Sequence, residues 1–259
     1  MMSHSTLQLV FAGALLASFG AMPVCAQAPE TPVSAPTPAS GWPEPVKDNR
    51  VLTYMTFDEL EGRTSGPNSS FRWDGEGWIG TDFNKLWFKS EGTLTNGVTT
   101  DGDQEILYDR PIPHMRYFDW QAGARIDLDS GPTRAWVALG VEGLAPHFFN
   151  FAPTIYVRDG GRVAGRLQGY YDLYLTQRLI LRPQVEINFY SQADPARRIG
   201  TGLSDLDGGV RLGYQFSRKF APYVGYVYSG VFGQTAKFNR QAGESTSASQ
   251  FVFGLWVWY

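Results

Sequence analysis

The end of the chain is the feature that most constrains its fold. Residues 249–259 alternate between apolar and other side chains, and the chain stops on an aromatic residue, Tyr259. Side chains of a strand point to opposite faces in turn, so one face collects Phe251, Phe253, Leu255, Val257 and Tyr259. In an outer-membrane β-barrel the last strand pairs with the first and turns such a face to lipid. The pattern favours a barrel over the alternative, a core strand of a soluble sandwich.

Composition agrees with a barrel. The chain has 259 residues, enough for one barrel, and is rich in aromatic residues (15%) and poor in charged ones (18%). A mean hydropathy of -0.24 is too polar for a helical membrane protein, but it suits a barrel, in which only every second strand residue faces lipid. The net charge of -3 gives no indication of a nucleic-acid partner.

The first 26 residues resemble a secretory signal peptide, with a short apolar stretch at 7–21 and a small-x-small cleavage pattern ending at Ala26. The n-region lacks Lys and Arg. A transmembrane anchor is less favoured because the apolar run is short, and lipidation of Cys25 is less favoured because the residues before it fit poorly. Cleavage after Ala26 would remove the only cysteine and exclude disulfides and thiolate chemistry. Residues 27–50 are Pro-rich and predict a disordered periplasmic tether.

Residues 51–259 predict a single transmembrane antiparallel up-and-down β-barrel of about twelve strands, each close to the length that crosses a bilayer. The predicted strands lie near 51–62, 70–81, 84–94, 99–109, 115–128, 132–143, 147–158, 162–176, 179–191, 203–216, 219–231 and 249–259. Short turns then fall on the periplasmic side, and the long segments 61–70, 192–202 and 232–248 fall on the other, an asymmetry typical of outer-membrane barrels. Pro183 stands in mid-strand, where we expect a local bulge.

The strands also sort into an apolar and a polar face. In 179–190, Leu179, Leu181 and Val185 oppose Arg182 and Glu186. Both charge signs occur on the polar face, as in an ion-paired barrel interior, so we expect this face to line the lumen.

An acidic ladder is predicted on the fourth strand, formed by Asp101, Asp103, Glu105 and Asp109. Two further charged sets share a strand face: Lys85, Lys89 and Glu91 on the third strand, and Asp205, Asp207 and Arg211 on the tenth. Two interpretations stay open: a charged path that binds or passes cations, or ion pairs that fill and rigidify the lumen, which mixed-sign interiors favour. The Asp101–Asp103 pattern lacks the rest of a calcium loop.

Imidazole and thioether ligands suit copper and other soft or borderline metals. His114, Met115 and His147 follow prolines at two predicted periplasmic turns, so they are candidate metal ligands at one rim. The alternative is that they are solvated turn residues. No serine lies in an elbow motif, so the sequence predicts no catalytic residues and no enzyme.

Six segments of the predicted barrel resemble the copper resistance protein B family of outer-membrane proteins: 81–92, 117–123, 139–146, 175–183, 199–206 and 220–225. The resemblance runs in order over about residues 55–259. It implies an outer-membrane barrel of Gram-negative cells that binds copper ions and acts in copper resistance or homeostasis beside periplasmic copper-handling proteins. Other expected partners are membrane lipid and, through the strand ending at Tyr259, the barrel-insertion machinery.

One departure from the family concerns its copper-collecting segment. Many members carry a Met- and His-rich stretch ahead of the barrel, whereas residues 27–50 here contain neither Met nor His. Copper binding by this chain is therefore implied by the resemblance more than by its own residues. The alternative function is a general small-solute or structural barrel without its own copper site.

Overall fold

A computed structural model describes residues 50–65, 68–128 and 131–259. The predicted signal peptide, and the predicted tether as far as residue 49, lie outside the described residues. The chain over the described part is almost entirely β-structure. Among these residues no helix has the length and apolarity needed to cross a membrane.

The described residues form thirteen strand segments, one α-helix and three short 3-10 helices, Pro146–Phe148, Asp159–Gly161 and Pro195–Arg197. The strands are β1 (Leu52–Ser65), β2 (Asn68–Gly80), β3 (Lys85–Thr95), β4 (Val98–Pro111), β5 (Phe118–Asp127), β6 (Arg134–Ala145), β7 (Phe149–Arg158), β8 (Arg162–Tyr170), β9 (Leu173–Tyr174), β10 (Leu179–Tyr190), β11 (Gly202–Tyr214), β12 (Phe220–Val231) and β13 (Ser247–Trp258), and the helix is α1 (Gly233–Gln241).

The sheet closes on itself, as the C-terminal pattern predicts. Each strand pairs antiparallel with its sequence neighbours, and β13 pairs with β1 through contacts such as Thr56 opposite Trp258. Segments β8 and β9 both pair with β10, so together they form one strand of the barrel wall, interrupted between them. We call each such full-length strand of the wall a stave. The molecule is therefore a closed barrel of twelve antiparallel staves, and the predicted fold class is confirmed.

The interruption lies beside Pro183, but not in its own strand. Strand β10 pairs regularly with β11 through Pro183 opposite Val210, so the bulge predicted in this strand is wrong. Instead the neighbouring stave breaks between Tyr170 and Leu173, and the Tyr171 amide donates to the Pro183 carbonyl at 3.1 Å. Proline has no N–H to donate toward the neighbouring stave. The regular backbone pairing is therefore interrupted in that neighbouring stave, and β10 itself continues.

The connections alternate between two rims. We call the turn rim the one that carries 81–84, 112–117, 146–148, 175–178, 215–219 and Tyr259, and the loop rim the one that carries 96–97, 159–161, 191–201 and 232–246. All the predicted short turns fall on the turn rim, as expected. The predicted long connection at 61–70 is wrong, because β1 and β2 stay paired up to Ser65 opposite Asn68.

The two faces of the wall differ as the alternation predicts. On β13, Phe251 and Phe253 are 70% and 58% exposed on the outer face, whereas Val252 and Trp256 are buried inside. Outward apolar residues recur on other staves, for example Leu139 and Val224. An apolar outside and a polar inside are what a lipid-embedded barrel requires, so membrane lipid is the solvent of the outer wall.

Candidate functional site: the barrel lumen

Ten charged side chains fill the middle of the lumen, and we call them the charged belt. Five are basic and five are acidic: Arg63, Arg72, Arg125, Arg166, Arg211, Glu59, Glu61, Glu91, Asp103 and Glu186. A β-bulge in β1 between Phe57 and Glu59 sets which residues of that strand point inward, because an extra residue reverses the alternation. The belt therefore depends on local backbone irregularity as well as on the two-residue period.

Ion pairs of the belt cross the lumen. The Arg166 guanidinium on β8 reaches Glu91 Oε2 on β3 at 2.9 Å and Asp103 Oδ2 on β4 at 2.5 Å. Strands β3 and β8 stand five places apart around the twelve staves, nearly opposite each other. From β2, the Arg72 guanidinium contacts Glu91 and reaches Glu186 Oε2 on β10 at 3.2 Å. These contacts tie opposite walls together and obstruct the middle of the lumen.

The carboxylates of the belt are well satisfied. Arg211 Nη2 donates to Glu59 Oε1 at 2.7 Å and to Glu61 Oε1 at 2.9 Å, and the Tyr223 hydroxyl donates to Glu61 Oε2 at 2.8 Å. All four residues are buried. Buried charges of this kind stay ionised only when opposite charges and hydrogen bonds replace water, and here they do.

Two cavities lie on either side of the belt. The turn-rim cavity has a volume of about 340 Å³ and the loop-rim cavity about 520 Å³. Both are lined by Glu91, Asp103 and Arg166, which places the belt between them. The loop-rim cavity is also lined by Thr235 of α1, whose hydroxyl accepts a hydrogen bond from the Gly200 amide at 2.8 Å. Helix α1 and the 191–201 loop thus narrow that rim.

The turn-rim cavity has a surplus of acid. Its lining contains three basic side chains, Lys89, Arg116 and Arg166, and nine acidic ones: Asp58, Asp74, Glu76, Glu91, Asp103, Glu105, Asp109, Asp119 and Glu142. Several of the nine carry partners, such as Glu142, which receives a hydrogen bond from Lys89 Nζ at 2.5 Å. Seven of the nine pair with basic side chains, four of which lie outside the lining: Lys85, Arg72, Arg125 and Arg182. Among the described side chains, Asp74 and Glu105 are the two acids of the lining without a basic partner, so most of the negative charge is compensated.

The predicted acidic ladder is brought only partly together. Asp103, Glu105 and Asp109 point inward and are buried. They meet partners there: Arg125 Nη2 lies 2.9 Å from Asp103, the Tyr156 hydroxyl 2.7 Å from Glu105, and Gln121 Nε2 3.1 Å from Asp109. Use of the ladder as a cation path stays a prediction, although its inner members are occupied by these contacts.

The fourth member of the ladder departs from the others. Asp101 is exposed, has a φ of 54° and lies in a two-residue bulge of β4 opposite the step from Glu91 to Thr93. It lines the loop-rim cavity instead of the turn-rim one. Its grouping with the other three in one ladder is therefore wrong, because the bulge interrupts the alternation on which the ladder was predicted.

The other charged sets face inward as predicted. Lys85 Nζ lies 2.6 Å from Asp119 Oδ2, and Arg63 Nη1 donates to Asp207 Oδ2 at 2.6 Å. Asp205 accepts a hydrogen bond from Asn188 at 2.8 Å. These contacts support the ion-pairing interpretation for most lumen charges.

The candidate metal ligands lie on the turn rim. His114 and Met115 belong to the 112–117 turn and His147 to the 146–148 turn, and all three are exposed. Both histidines have a positive φ, 70° and 69°. Within the described ranges no three His, Cys, Asp or Glu side chains are grouped so as to hold a metal ion. A copper site at these residues stays a prediction.

A cluster that the sequence did not reveal anchors the 191–201 loop. Asp194 accepts a hydrogen bond from Arg134 Nε at 2.9 Å, and guanidinium nitrogens of Arg158 and Arg162 each lie 3.8 Å away. Burial opposes ionisation of this carboxyl, but the Arg134 hydrogen bond and the three positive charges outweigh it and lower the pKa of Asp194. No motif marks this cluster, since its members come from three strands and a loop.

Comparison with known proteins agrees with this architecture. The family model described as "Copper resistance protein B precursor (CopB)" matches residues 51–259. A copper resistance protein B from Escherichia coli is 37% identical over 214 residues, which are 83% of this chain and 72% of that protein. A copper resistance protein B homolog from Pseudomonas syringae pv. tomato is similar to the same degree, 37% over 214 residues and the same shares of each chain.

Among solved structures, the NanC porin superposes with a TM-score of 0.50 at 14% identity, over 80% of this chain and 99% of that one. At this identity the likeness concerns the fold alone, an outer-membrane type of barrel. The family model matches the whole predicted barrel, residues 51–259, and both relatives are 37% identical to this chain over 72% of their own length. The chain belongs to the copper resistance protein B family.

Proposed function

We propose that this barrel handles copper ions at the outer membrane, in copper resistance or homeostasis. The observation that carries the proposal is family membership over residues 51–259. The acidic lining of the turn-rim cavity supports it, because an excess of acidic over basic side chains in a lining favours cations over anions. Copper is the cargo in this proposal, not a structural part of the barrel.

The turn rim is where we expect copper to meet the protein. Imidazole nitrogen and thioether sulfur are suitable copper ligands, and His114, Met115 and His147 are exposed at that rim. Arg116 and Tyr117, next to Met115 in the same turn, line the acidic cavity. In the proposed arrangement the rim residues would capture copper beside the mouth of the cavity. The N-terminal tether and this rim would then face the periplasm and its copper-handling proteins.

The test is copper stoichiometry on the refolded protein, residues 27–259, beside an H114A/H147A double variant. We expect binding in the parent chain and its loss in the variant, because no comparable nitrogen ligands remain once signal removal takes His4. A matched control is a variant with both histidines intact and Asp205→Asn in the loop-rim cavity, which should bind as the parent does. Unchanged binding in the double variant would refute the rim site, and a deletion strain with unchanged copper tolerance would refute the copper role.

A second function is favoured by the belt itself. Ion pairs that cross the lumen and the absence of a grouped metal site among the described residues fit a structural or small-solute barrel without its own copper site. Absence of copper binding in the parent chain would favour this alternative.

We propose further that the protein has no enzymatic role and that the strand ending at Tyr259 engages the barrel-insertion machinery. A lipase or esterase activity lost in the H114A/H147A variant would contradict the first proposal. Normal assembly of a variant carrying Tyr259→Ser and Phe253→Ser would contradict the second.

A further inference from the structure

We propose that the outer wall of the barrel binds an anionic phospholipid at the turn rim, with the lipid phosphate at the Arg110 guanidinium. The lipid is one with a phosphodiester and no ammonium group in its head, such as phosphatidylglycerol. This site lies outside the lumen, so it goes beyond copper handling and does not depend on it. It is also more than general contact with lipid, because one headgroup is assigned to one groove.

Arg110 is the exception among the basic side chains of the strands. Each of the other lysines and arginines in the described strands forms an ion pair with a carboxylate. The Arg110 guanidinium has no ion pair, hydrogen bond or ring contact with any described residue. Its neighbour Asp109 is buried in the lumen whereas Arg110 is exposed, so the alternation of β4 turns Arg110 to the outer wall. A guanidinium there needs an anion from outside the chain.

Arg110 lies at the level of lipid headgroups. Tyr108, two residues earlier on the same face, packs edge to face against Trp120 with ring centres 5.6 Å apart. Tyr214 and Phe220 are exposed on the outer wall near the same rim. Outward aromatic side chains of this kind form the girdle at a membrane interface. Two residues of strand advance about 7 Å, so Arg110 lies just beyond the girdle, within the polar headgroup region.

An open groove lies beside this guanidinium. It has a volume of about 470 Å³, within the range of about 300–1,000 Å³ that is usual for small-ligand sites. Apart from Arg110, its lining is apolar or aromatic: Phe83, Pro111, Ile112, Pro113 and Trp120. One positive group in an apolar groove matches a lipid phosphate and the acyl chain next to it. The lining contains no acidic side chain to pair with the ammonium group of phosphatidylethanolamine, so an anionic headgroup is favoured.

Backbone hydrogen bonds hold both walls of the groove in place. In one wall, the Ile112 amide donates to the Phe118 carbonyl at 3.0 Å. In the turn that carries Phe83, the Thr81 amide donates to the Asn84 carbonyl at 2.9 Å. A groove that is already ordered loses less conformational entropy when a ligand binds, so the lipid meets a preformed site.

Lipid titration of the mature protein, residues 27–259, tests the proposal, with native mass spectrometry as the readout of bound lipid. The detergent micelles contain equal amounts of phosphatidylglycerol and phosphatidylethanolamine. We expect the parent chain to retain phosphatidylglycerol in preference. Arg110→Gln should weaken this binding about tenfold, because the charge-assisted hydrogen bonds to the phosphate are lost. Arg110→Lys keeps the charge but not the forked geometry of the guanidinium, so its retention should fall between those of the parent and Arg110→Gln.

The matched control is Arg178→Gln, because Arg178 is exposed on another turn of the same rim and lies outside the groove. This variant should retain lipid as the parent does, and heat-modifiable gel mobility shows whether each variant is folded. Equal retention of the two lipids by the parent, or equal retention of phosphatidylglycerol by the parent and Arg110→Gln, would overturn the proposal. An equal loss in Arg178→Gln would overturn it as well, because the rim would then attract anionic lipid through its overall charge.

Discussion

The charged belt and the turn-rim cavity contain the same types of side chain, but they differ in balance. In the belt five arginines face five carboxylates, and a carboxylate such as Glu61 meets both Arg211 and Tyr223. The cavity lining shares Glu91, Asp103 and Arg166 with the belt, but overall it contains nine acidic residues and three basic ones, and Asp74 has no ion-pair partner among the described side chains. Inward charge alone therefore does not identify a binding site. Balanced charges hold the barrel walls together, whereas a carboxyl without a partner contributes no such contact.

The largest expected effect comes from breaking the belt. Arg211→Met removes the guanidinium that holds Glu59 and Glu61 and leaves buried carboxylates uncompensated, which should lower the free energy of unfolding by about 3–5 kcal/mol. Denaturant unfolding in detergent, followed by tryptophan fluorescence, measures this. Arg198→Met is the matched control, because its pair with Glu244 is exposed and should contribute less than about 1 kcal/mol. Equal losses in the two variants would remove the distinction between belt and surface pairs.

An arginine on the outer wall sharpens the same comparison. Leu139 is half exposed on the outer face in the middle of β6, where Leu139→Arg meets lipid and no carboxylate. We expect a loss of about 2–4 kcal/mol of folding free energy in a bilayer, measured by unfolding from lipid vesicles. Leu139→Met should be nearly neutral. A neutral Leu139→Arg would mean that this position does not face hydrocarbon.

The Asp194 cluster predicts a smaller, local effect with a defined pH dependence. Because its pKa is lowered in the folded state, the anchor contributes its full stability above the ordinary Asp pKa of about 3.9 and loses it as the pH falls through the lower folded value. Asp194→Asn should lose the anchor at every pH, by about 1–2 kcal/mol of local stability. Proteolysis of the 191–201 loop measures it, with Asp159→Asn as a control at an exposed carboxylate. Unchanged cleavage in Asp194→Asn would show that the loop is held by other contacts.

The smallest effect is expected at Asp74. Asp74→Asn replaces a carboxyl that has no ion-pair partner among the described side chains by an amide of the same shape, so it should change the free energy of unfolding by less than about 0.5 kcal/mol. The same denaturant experiment as for the belt measures this. Asp103→Asn, which loses contacts to Arg125 and Arg166, should destabilise instead. Destabilisation by both variants would mean that Asp74 has a partner after all.

The alternation of side chains made much of the fold predictable. It gave the faces of β13 and β10, the closure of the last strand on the first, and twelve staves. It failed at 61–70 because strands can extend beyond the apolar band: backbone pairing up to Ser65 and Asn68 needs no apolar side chains. Helix α1 was missed because its nine residues lie within a long polar connection.

The candidate site was predictable only in part. The inward position of Lys89, Asp103 and Asp207 follows from a period of two residues, but Asp101 does not obey it, because a bulge precedes Asp103. The turn positions of His114 and His147 followed from neighbouring prolines. Nothing in the sequence singled out Asp74, whose distinction within the cavity is that no side chain of the described residues pairs with it.

The sequence by itself therefore determined the faces of side chains in the regular parts of the strands and, through the family motifs, the family to which the chain belongs. Only the tertiary structure decided which charges meet. Arg72 and Glu186 are 114 residues apart, and Arg211 and Glu59 are 152 apart. Their contact depends on barrel closure, strand register and bulges, which fix the height of each side chain in the lumen. The tertiary structure therefore decides where charges balance and where one sign is in excess, because a carboxylate is neutralised by the side chains that lie near it in space.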